Sequence, residues 1–141
     1  METIKIKSQP CTTPRQSHEL VDLGVKKETG DMSFIDWDGR TLCSGSSYEG
    51  ECSYKNTMLD YEVTPAWSLN RLISLCPESI SHEGLIKDFC VNHRGAYYAD
   101  EPHYCNTICF DSHENLYDNM IDCIAWLIKN NYFNKNYLEI R

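Results

Sequence analysis

Residues 112–130 read SHENLYDNMIDCIAWLIKN, and this stretch decides the fold. Ser112 is a residue type that caps helix N-termini, and the acidic residues Asp111, Glu114 and Asp118 lie near the positive end of the helix dipole. Apolar side chains recur three or four residues apart, which gives a helix one apolar face. They are Leu116, Met120, Ile121, Ile124, Leu127 and Ile128. The pattern predicts an amphipathic helix over about Ser112–Asn130 that covers a sheet.

Two earlier stretches also predict helices. Thr64-Pro65 combines a capping residue with a proline that suits the first helical turn, and apolar residues continue at helical spacing up to Pro77. This pattern predicts a helix over about Thr64–Cys76. Thr13-Pro14 and the later Gly24 give the same start and stop signals, so we expect a shorter helix over about Pro14–Leu23.

The strand-like segments fall between these helices. Met32–Trp37 is rich in β-forming residues and precedes the turn pair Asp38-Gly39, and Met58–Val63 alternates between apolar and polar side chains. Three further segments are rich in aromatic and β-branched residues and are separated by turn residues: Leu85–Val91, Ala96–Ala99 and Tyr104–Phe110. Their spacing predicts a three-stranded antiparallel meander.

The order of these segments predicts an α+β fold in a single domain over residues 1–141. Helices that cover one side of an antiparallel sheet form two layers, so we expect about four to five strands with about three helices packed largely on one face. Residues 1–11 are polar apart from a short alternation, which suits an edge strand or a loose tail. Residues 43–57 carry Ser, Gly and little apolar material, which predicts a surface loop.

Charge and composition narrow the classes of function. Thirteen basic residues against 21 acidic residues give a net charge of −8, which disfavours a general nucleic-acid surface because such surfaces neutralise phosphates with cations. No apolar run approaches the roughly 20 residues of a membrane span, and the first ten residues, METIKIKSQP, lack the apolar stretch of a secretory signal. We therefore expect a cytoplasmic protein that does not bind membranes and whose eight cysteines are mostly reduced.

One cluster resembles a zinc ligand set: His103, Cys105, Cys109 and His113. On a regular strand, however, Cys105 and Cys109 lie roughly 13 Å apart. The sulfurs of a tetrahedral zinc site lie about 4 Å apart. The sequence therefore favours two core-facing cysteines and no cofactor, with zinc as the alternative reading of this cluster.

Thiol chemistry has weaker support in the sequence. Cys90 with His93, or Cys43 with any histidine, could form a nucleophilic pair, but neither cysteine has a flanking cation or a helix N-terminus to lower its pKa. Neither phosphate-loop motif, G-x-x-x-x-G-K-[ST] or G-x-G-x-x-G, is present. The sequence therefore offers no catalytic residues, and the non-enzymatic interpretation is favoured.

The meander and its turns carry the candidate ligand-binding residues. They are His93, Arg94, Tyr97, Tyr98 and Tyr104. Tyrosine is favoured at recognition surfaces because it combines a rigid ring with a polar tip. These residues would form a binding surface if they share the open face of the sheet, whereas in an ordinary strand half of them would point inward.

Three pieces of sequence carry a resemblance to a known group. They are Thr13-Pro14-Arg15-Gln16-Ser17 with Leu20 and Leu23-Gly24, then Pro65-Ala66-Trp67-Ser68-Leu69 with Leu72, and then Tyr117-Asp118-Asn119 with Ile121-Asp122 and Trp126-Leu127-Ile128. The chain resembles uncharacterised small proteins of gut Bacteroides-type bacteria and of their phages or prophages. This resemblance implies an accessory protein of a mobile element and assigns no residue a role.

Three hypotheses of function follow. The leading one is a non-enzymatic interaction module, phage-derived, whose partner is a host protein. The alternative is a small-ligand protein that binds or sequesters a nucleotide, with Arg94, Tyr97 and Tyr98 as candidate residues. The third is a small metal- or thiol-dependent enzyme. The oligomeric state stays open.

Overall fold

The computed structural model describes residues 9–35, 41–43, 63–100 and 106–139. Within these ranges it contains three α-helices and two antiparallel sheets, which confirms the predicted α+β class. The larger sheet contains, in the order of neighbouring strands, β4 (Ser79–His82), β5 (Leu85–Val91), β6 (Ala96–Ala99) and β7 (Ile108–Phe110). The smaller sheet contains, in the same way, β2 (Thr41–Cys43), β1 (Met32–Ile35) and β3 (Val63–Ala66). The predicted strands are thus divided between two sheets. The last helix packs against the larger sheet, and the first helix contacts both the last helix and the smaller sheet.

Helix α1 spans Pro14–Asp22 and forms as the sequence predicts. The Thr13 hydroxyl accepts a hydrogen bond from the Gln16 backbone N–H, and the Gln16 side chain accepts one from the Thr13 backbone N–H. This reciprocal capping box satisfies donors that the first turn of a helix leaves without partners. Gly24 follows the helix with a φ of 97°, a left-handed conformation that glycine adopts without strain.

Helix α2 spans only Leu69–Leu75, so the predicted start at Thr64 is wrong. Val63–Ala66 forms strand β3 instead, and Pro65 lies opposite Ser33 in its ladder. The N-cap is Ser68, whose backbone N–H and hydroxyl both donate to the Asp31 carboxylate. Proline can occupy an edge strand, and β3 lies at the edge of its sheet, so the extended conformation is available to this segment.

The smaller sheet joins β3 to β1, Met32–Ile35, and β2, Thr41–Cys43. Strand β1 is the described part of the segment predicted over Met32–Trp37, and only Val63 of the segment predicted over Met58–Val63 lies within the described ranges. Cys43 ends a strand and therefore does not begin the loop predicted over 43–57. The remainder of that loop, and the predicted turn at Asp38-Gly39, lie outside the described residues.

The larger sheet contains the predicted meander. Strands β5, Leu85–Val91, and β6, Ala96–Ala99, have the predicted bounds, and β7 is Ile108–Phe110 in the described part of Tyr104–Phe110. Strand β4, Ser79–His82, pairs with β5 and was not predicted from the sequence. Glu83 and Gly84 connect β4 to β5 with φ values of 53° and 78°, as a two-residue hairpin turn with two positive φ angles requires.

Helix α3 spans Leu116–Lys129 and lies across β6 and β7, with α1 and α2 beside it. Its N-cap is Asn115 and not the predicted Ser112, because the Asn115 side-chain oxygen accepts from the backbone N–H groups of Tyr117, at 2.9 Å, and Asp118, at 3.3 Å. The predicted apolar stripe is otherwise confirmed, since Met120, Ile124 and Leu127 are fully buried.

One large apolar cluster fills the space between α3 and the larger sheet. Trp67 is fully buried and links the β3–α2 junction to the rest of the chain: its indole N–H donates to Thr29 Oγ1 at 2.9 Å, and its backbone pairs with Thr12. A smaller cluster of Cys11, Met32 and Ala66 lies under the second sheet. None of the helices among the described residues is long and apolar enough to cross a membrane.

The described residues nearest each end of the chain contact the rest of the molecule. Gln9 donates to the Cys11 carbonyl and to the Gln16 side chain, each at 2.7 Å, so residues 9–11 of the predicted edge strand or loose tail are anchored without forming a strand. At the other end, Leu138 forms a β-bridge with Val25, and the buried Phe133 joins the main cluster.

Candidate functional site

A groove with a volume of about 540 Å³ lies between α1 and α3. Three of its lining side chains are apolar and six are polar or charged. The lining consists of Arg15, Glu19, Asp22, Leu23, His113, Asp118, Ile121, Asp122 and Ala125. We refer to this cavity as the α1–α3 groove. It combines apolar surface for contact with charged groups that can orient a partner.

Arg15 closes the start of the α1–α3 groove by bridging the two helices. Its guanidinium donates to Glu19 at 2.7 Å and to Asp118 at 3.1 Å. The fully buried Gln16 side chain donates to the same Asp118 oxygen at 2.8 Å. Burial would raise the pKa of Asp118, but the hydrogen bonds from Gln16 and Arg15 and the charge of Arg15 outweigh it and hold that pKa below its usual value.

His113 and Asp122 form a second polar pair in the α1–α3 groove. His113 Nε2 lies 2.9 Å from Asp122 Oδ2, and each side chain is about half exposed, at 47% and 46%. The histidine carries a charge only when it is protonated. With His113 neutral, the four carboxylates and one guanidinium among the lining side chains sum to three net negative charges. This charge favours cationic ligands and disfavours phosphates.

Asn119 holds the edge of the α1–α3 groove in place from inside the molecule. Its fully buried side chain donates to the carbonyl oxygens of Arg94, at 2.7 Å, and of His113, at 2.9 Å, and it accepts from the His113 backbone N–H at 2.9 Å. Fully satisfied buried polar groups fix one arrangement of the elements they join. Asn119 therefore sets the backbone of His113 and the backbone of the β5–β6 turn at the same time.

The β5–β6 turn borders a second cavity, of about 320 Å³. It brings together Arg94 and Tyr97 of the predicted ligand-binding set, and its other lining residues are Asn92, Gly95, Ala96, Thr107, Cys109 and Asp111. We refer to it as the turn cavity. His93 is exposed but does not line this cavity, and Tyr104 lies outside the described residues.

Tyr98 faces away from the turn cavity, so the interpretation of this residue as part of an exposed binding surface is wrong. It is fully buried, its ring packs 5.2 Å from that of Phe89, and its hydroxyl donates to the Pro77 carbonyl at 2.8 Å. Successive side chains of a strand point to opposite faces of the sheet. Tyr97 and Tyr98 are consecutive, so only one of them can face the cavity.

The predicted zinc cluster is only partly described. Cys109 is exposed and lines the turn cavity, so the expectation that it faces the core is wrong. His113 lines the α1–α3 groove and pairs with Asp122. His103 and Cys105 fall in the segment that the structure leaves undescribed. Among the described residues, no group of three or more potential metal ligands comes together. Zinc binding by this cluster therefore stays a prediction.

The described cysteines are free thiols, and three of them are buried. Burial, with a contribution from Asp31, raises the pKa of Cys11 to about 11. A hydrogen bond from Cys76 and burial raise the pKa of Cys123. A thiol that stays protonated is a poor nucleophile. The proposed pair of Cys90 and His93 makes no hydrogen bond, and the Cys90 sulfur instead lies 3.9 Å from the Asp88 carbonyl.

Neither the α1–α3 groove nor the buried position of Lys87 was predicted from the sequence. Asp118 and Asp122 were identifiable as polar positions on α3, but nothing in the sequence indicates that α1 supplies Arg15, Glu19 and Asp22 opposite them. Lys87 occupies a central position of β5, is only 1% exposed, and has no hydrogen bond or ion pair to any described residue. The only signal for it was one lysine in an alternating strand.

Comparison with protein-family models, with curated proteins and with solved structures finds no match to this chain.

Proposed function

We propose that this chain is a non-enzymatic interaction module that binds a basic, amphipathic segment of another protein in the α1–α3 groove. The observation that carries the proposal is the composition of that groove: four carboxylates surround one arginine and three apolar side chains in a cavity of about 540 Å³. The net charge of −8 adds a field of the same sign at longer range.

The chemistry of the groove defines the partner. Apolar side chains of the ligand would contact Leu23, Ile121 and Ala125, while its lysines or arginines would meet Glu19 and Asp122. An amphipathic helix that lays its apolar face in a groove is a common mode of peptide recognition. Charges at the rim of such a site mainly increase the association rate and select the partner.

Binding fits the groove better than catalysis does. His113 paired with Asp122 could hold a proton, but the lining of the groove contains no serine, threonine or cysteine that the histidine could activate.

The proposal extends to the source of the partner. We propose that the chain is an accessory protein of a phage or another mobile element and that the basic segment belongs to a protein of the bacterial host. The sequence resemblance described above supports this part. A cytoplasmic location fits the five free cysteines among the described residues, because thiols stay reduced there.

A labelled synthetic peptide tests the proposed function. The probe contains leucine and lysine at helical spacing, its counterpart has glutamate in place of lysine, and fluorescence anisotropy follows the titration. We expect the lysine peptide to bind, with an affinity that falls as salt rises, and the glutamate peptide not to bind.

A pair of double variants locates the interaction. Glu19→Gln with Asp122→Asn removes two charges from the groove, and Glu78→Gln with Asp88→Asn removes two exposed charges near β4 and β5. At about 0.7 kcal/mol for each lost ion pair, the groove variant should bind roughly tenfold more weakly, and the control should bind like the wild type. No binding of the lysine peptide, or equal loss in both variants, would contradict a role for the groove.

A further inference from the structure

The turn cavity is a second site, and its chemistry differs from that of the α1–α3 groove. Arg94 and Asp111 supply one charge of each sign, and Tyr97 supplies a ring and a hydroxyl. Arg94 is an exposed residue, and none of the ion pairs among the described residues includes it. An unpaired arginine can bind a carboxylate or phosphate through two parallel hydrogen bonds.

Hydrogen bonds on two sides fix the backbone that carries Arg94. The Asn92 side-chain oxygen accepts from the backbone N–H groups of Arg94, at 2.8 Å, and Gly95, at 3.2 Å. Asn119 donates to the Arg94 carbonyl from the core side. The turn therefore presents its arginine from a preorganised position, which lowers the conformational cost of binding.

Gly95 brings the neighbouring strand close to the turn. A Cβ atom at this position would lie 2.1 Å from the Phe110 carbonyl oxygen, so only glycine permits the approach of the backbone. Tyr97 lies opposite Cys109 in the β6–β7 ladder, and both line the cavity. Asp111 follows β7 directly, so the pairing of β7 with β6 also fixes where Asp111 lies.

We infer that the turn cavity binds a purine nucleoside monophosphate. Arg94 would bind the phosphate, the Tyr97 ring would contact the base, and the Asp111 carboxylate would accept N–H groups of a guanine. The volume of about 320 Å³ lies at the small end of the usual range for ligand cavities, about 300–1,000 Å³, and suits a mononucleotide rather than a longer oligonucleotide. This site is separate from the interaction proposed for the α1–α3 groove.

Two cysteines, one on each side of Tyr97 in the sheet, can report whether the turn cavity is occupied. Cys109 lines the turn cavity, whereas Cys90 lies on the other side of Tyr97 in the register and does not line it. A bound nucleotide should shield Cys109 from iodoacetamide and leave Cys90 reactive. Tandem mass spectrometry of the alkylated protein reads both sites in one sample.

The experiment adds guanosine monophosphate, guanosine or inorganic phosphate to the full-length protein. With the monophosphate tenfold above its dissociation constant, alkylation of Cys109 should slow by about tenfold, because only the unoccupied fraction reacts. Guanosine and phosphate alone should protect it less at the same concentration. Arg94→Gln should abolish the protection, and Arg71→Gln, which removes an exposed arginine on α2, should retain it.

Four results would overturn the inference. They are no protection of Cys109 at millimolar monophosphate, equal protection by guanosine, unchanged protection in Arg94→Gln, and equal protection of Cys90. The last result would indicate a change of the whole sheet and not occupancy of the cavity. None of them depends on whether the basic peptide binds in the α1–α3 groove.

Discussion

The two halves of α3 have different surroundings, although one continuous apolar stripe runs through both. The first half carries Asp118, Asn119 and Asp122, and its polar side chains make hydrogen bonds to α1, to the β5–β6 turn and to the segment before the helix. The second half is surrounded by apolar and aromatic groups: Leu127 is fully buried, and the Trp126 ring stacks 5.6 Å from that of Tyr132.

The two halves of α3 therefore contribute to different properties, one mainly to stability and the other to recognition. Apolar burial is non-directional and scales with the area removed from water, so the second half of α3 contributes mainly to the free energy of folding. Hydrogen bonds are directional, so the first half fixes where Arg94 and His113 stand. The α1–α3 groove lies beside this polar half, and the turn cavity is linked to it by the hydrogen bond from Asn119 to the Arg94 carbonyl.

Leu127→Ala tests the apolar half and should have the largest effect. Removing a fully buried leucine leaves a cavity in the main cluster, and the free energy of unfolding should fall by about 3 kcal/mol. Urea denaturation measures the loss. Leu85→Ala, at a leucine that is 36% exposed, is the matched control and should cost less than about 1 kcal/mol. Similar losses in both variants would contradict the importance of this packing.

Asn119→Ala tests the polar half. The change leaves the Arg94 carbonyl and both backbone polar groups of His113 without their partner, so we expect a loss of about 2 kcal/mol. Unlike Leu127→Ala, this variant should also weaken peptide binding under conditions in which the protein stays folded. Asn136→Ala, at an exposed asparagine, should change stability by less than about 0.5 kcal/mol. If the two asparagine variants are equally stable, Asn119 does not join these elements.

Lys87→Met sharpens the comparison, because Lys87 places a residue of charged type at a buried position in the larger sheet. Lys87 lies opposite Ile80 in the β4–β5 ladder, is only 1% exposed as a residue and makes no ion pair with a described residue. Methionine keeps an apolar side chain of similar length and carries no charge at this buried position, so thermal and urea unfolding should report a gain of about 1 kcal/mol. Lys129→Met, at an exposed lysine, should be neutral. A loss of stability in Lys87→Met would show that the ammonium makes a favourable interaction.

The pH dependence of Asp118 should give the smallest effect. Its pKa is lower in the folded chain than in the unfolded chain, so its contribution is present above about pH 4 and is lost as the pH falls through the folded value. Between pH 5 and the acid limit of the folded state, the stability of the wild type should therefore fall more steeply than that of Asp118→Asn. Parallel curves from urea titrations at several pH values would contradict the linkage.

Local patterns predicted the elements whose signals lie within a few residues. The cap at Thr13, the apolar stripe of α3 and the bounds of β5 and β6 all follow from neighbouring side chains. The start of α2 did not follow from them, because Thr64-Pro65 meets the local rules for a helix start while Asp31 selects Ser68 as the cap. A contact between residues 37 positions apart leaves no local signal.

The same limit explains which site residues could be predicted. Arg94 and Tyr97 lie near each other in the sequence, in a turn and in the strand that follows it, so their proximity was predictable. The α1–α3 groove brings Arg15 to Asp118, 103 residues away, and depends on how two helices pack. Tyr98 was misassigned because either of two consecutive tyrosines could have faced the core.

Amide chemical-shift mapping tests the central claim most directly. The leucine–lysine peptide is titrated into ¹⁵N-labelled protein, and the shift of each backbone amide is followed. We expect the largest changes at residues 19–23 of α1 and 118–125 of α3, with β4 and residues 132–137 unaffected. Changes confined to the larger sheet or the β5–β6 turn, with none along the α1–α3 groove, would contradict the claim that the polar half of α3 recognises a basic partner.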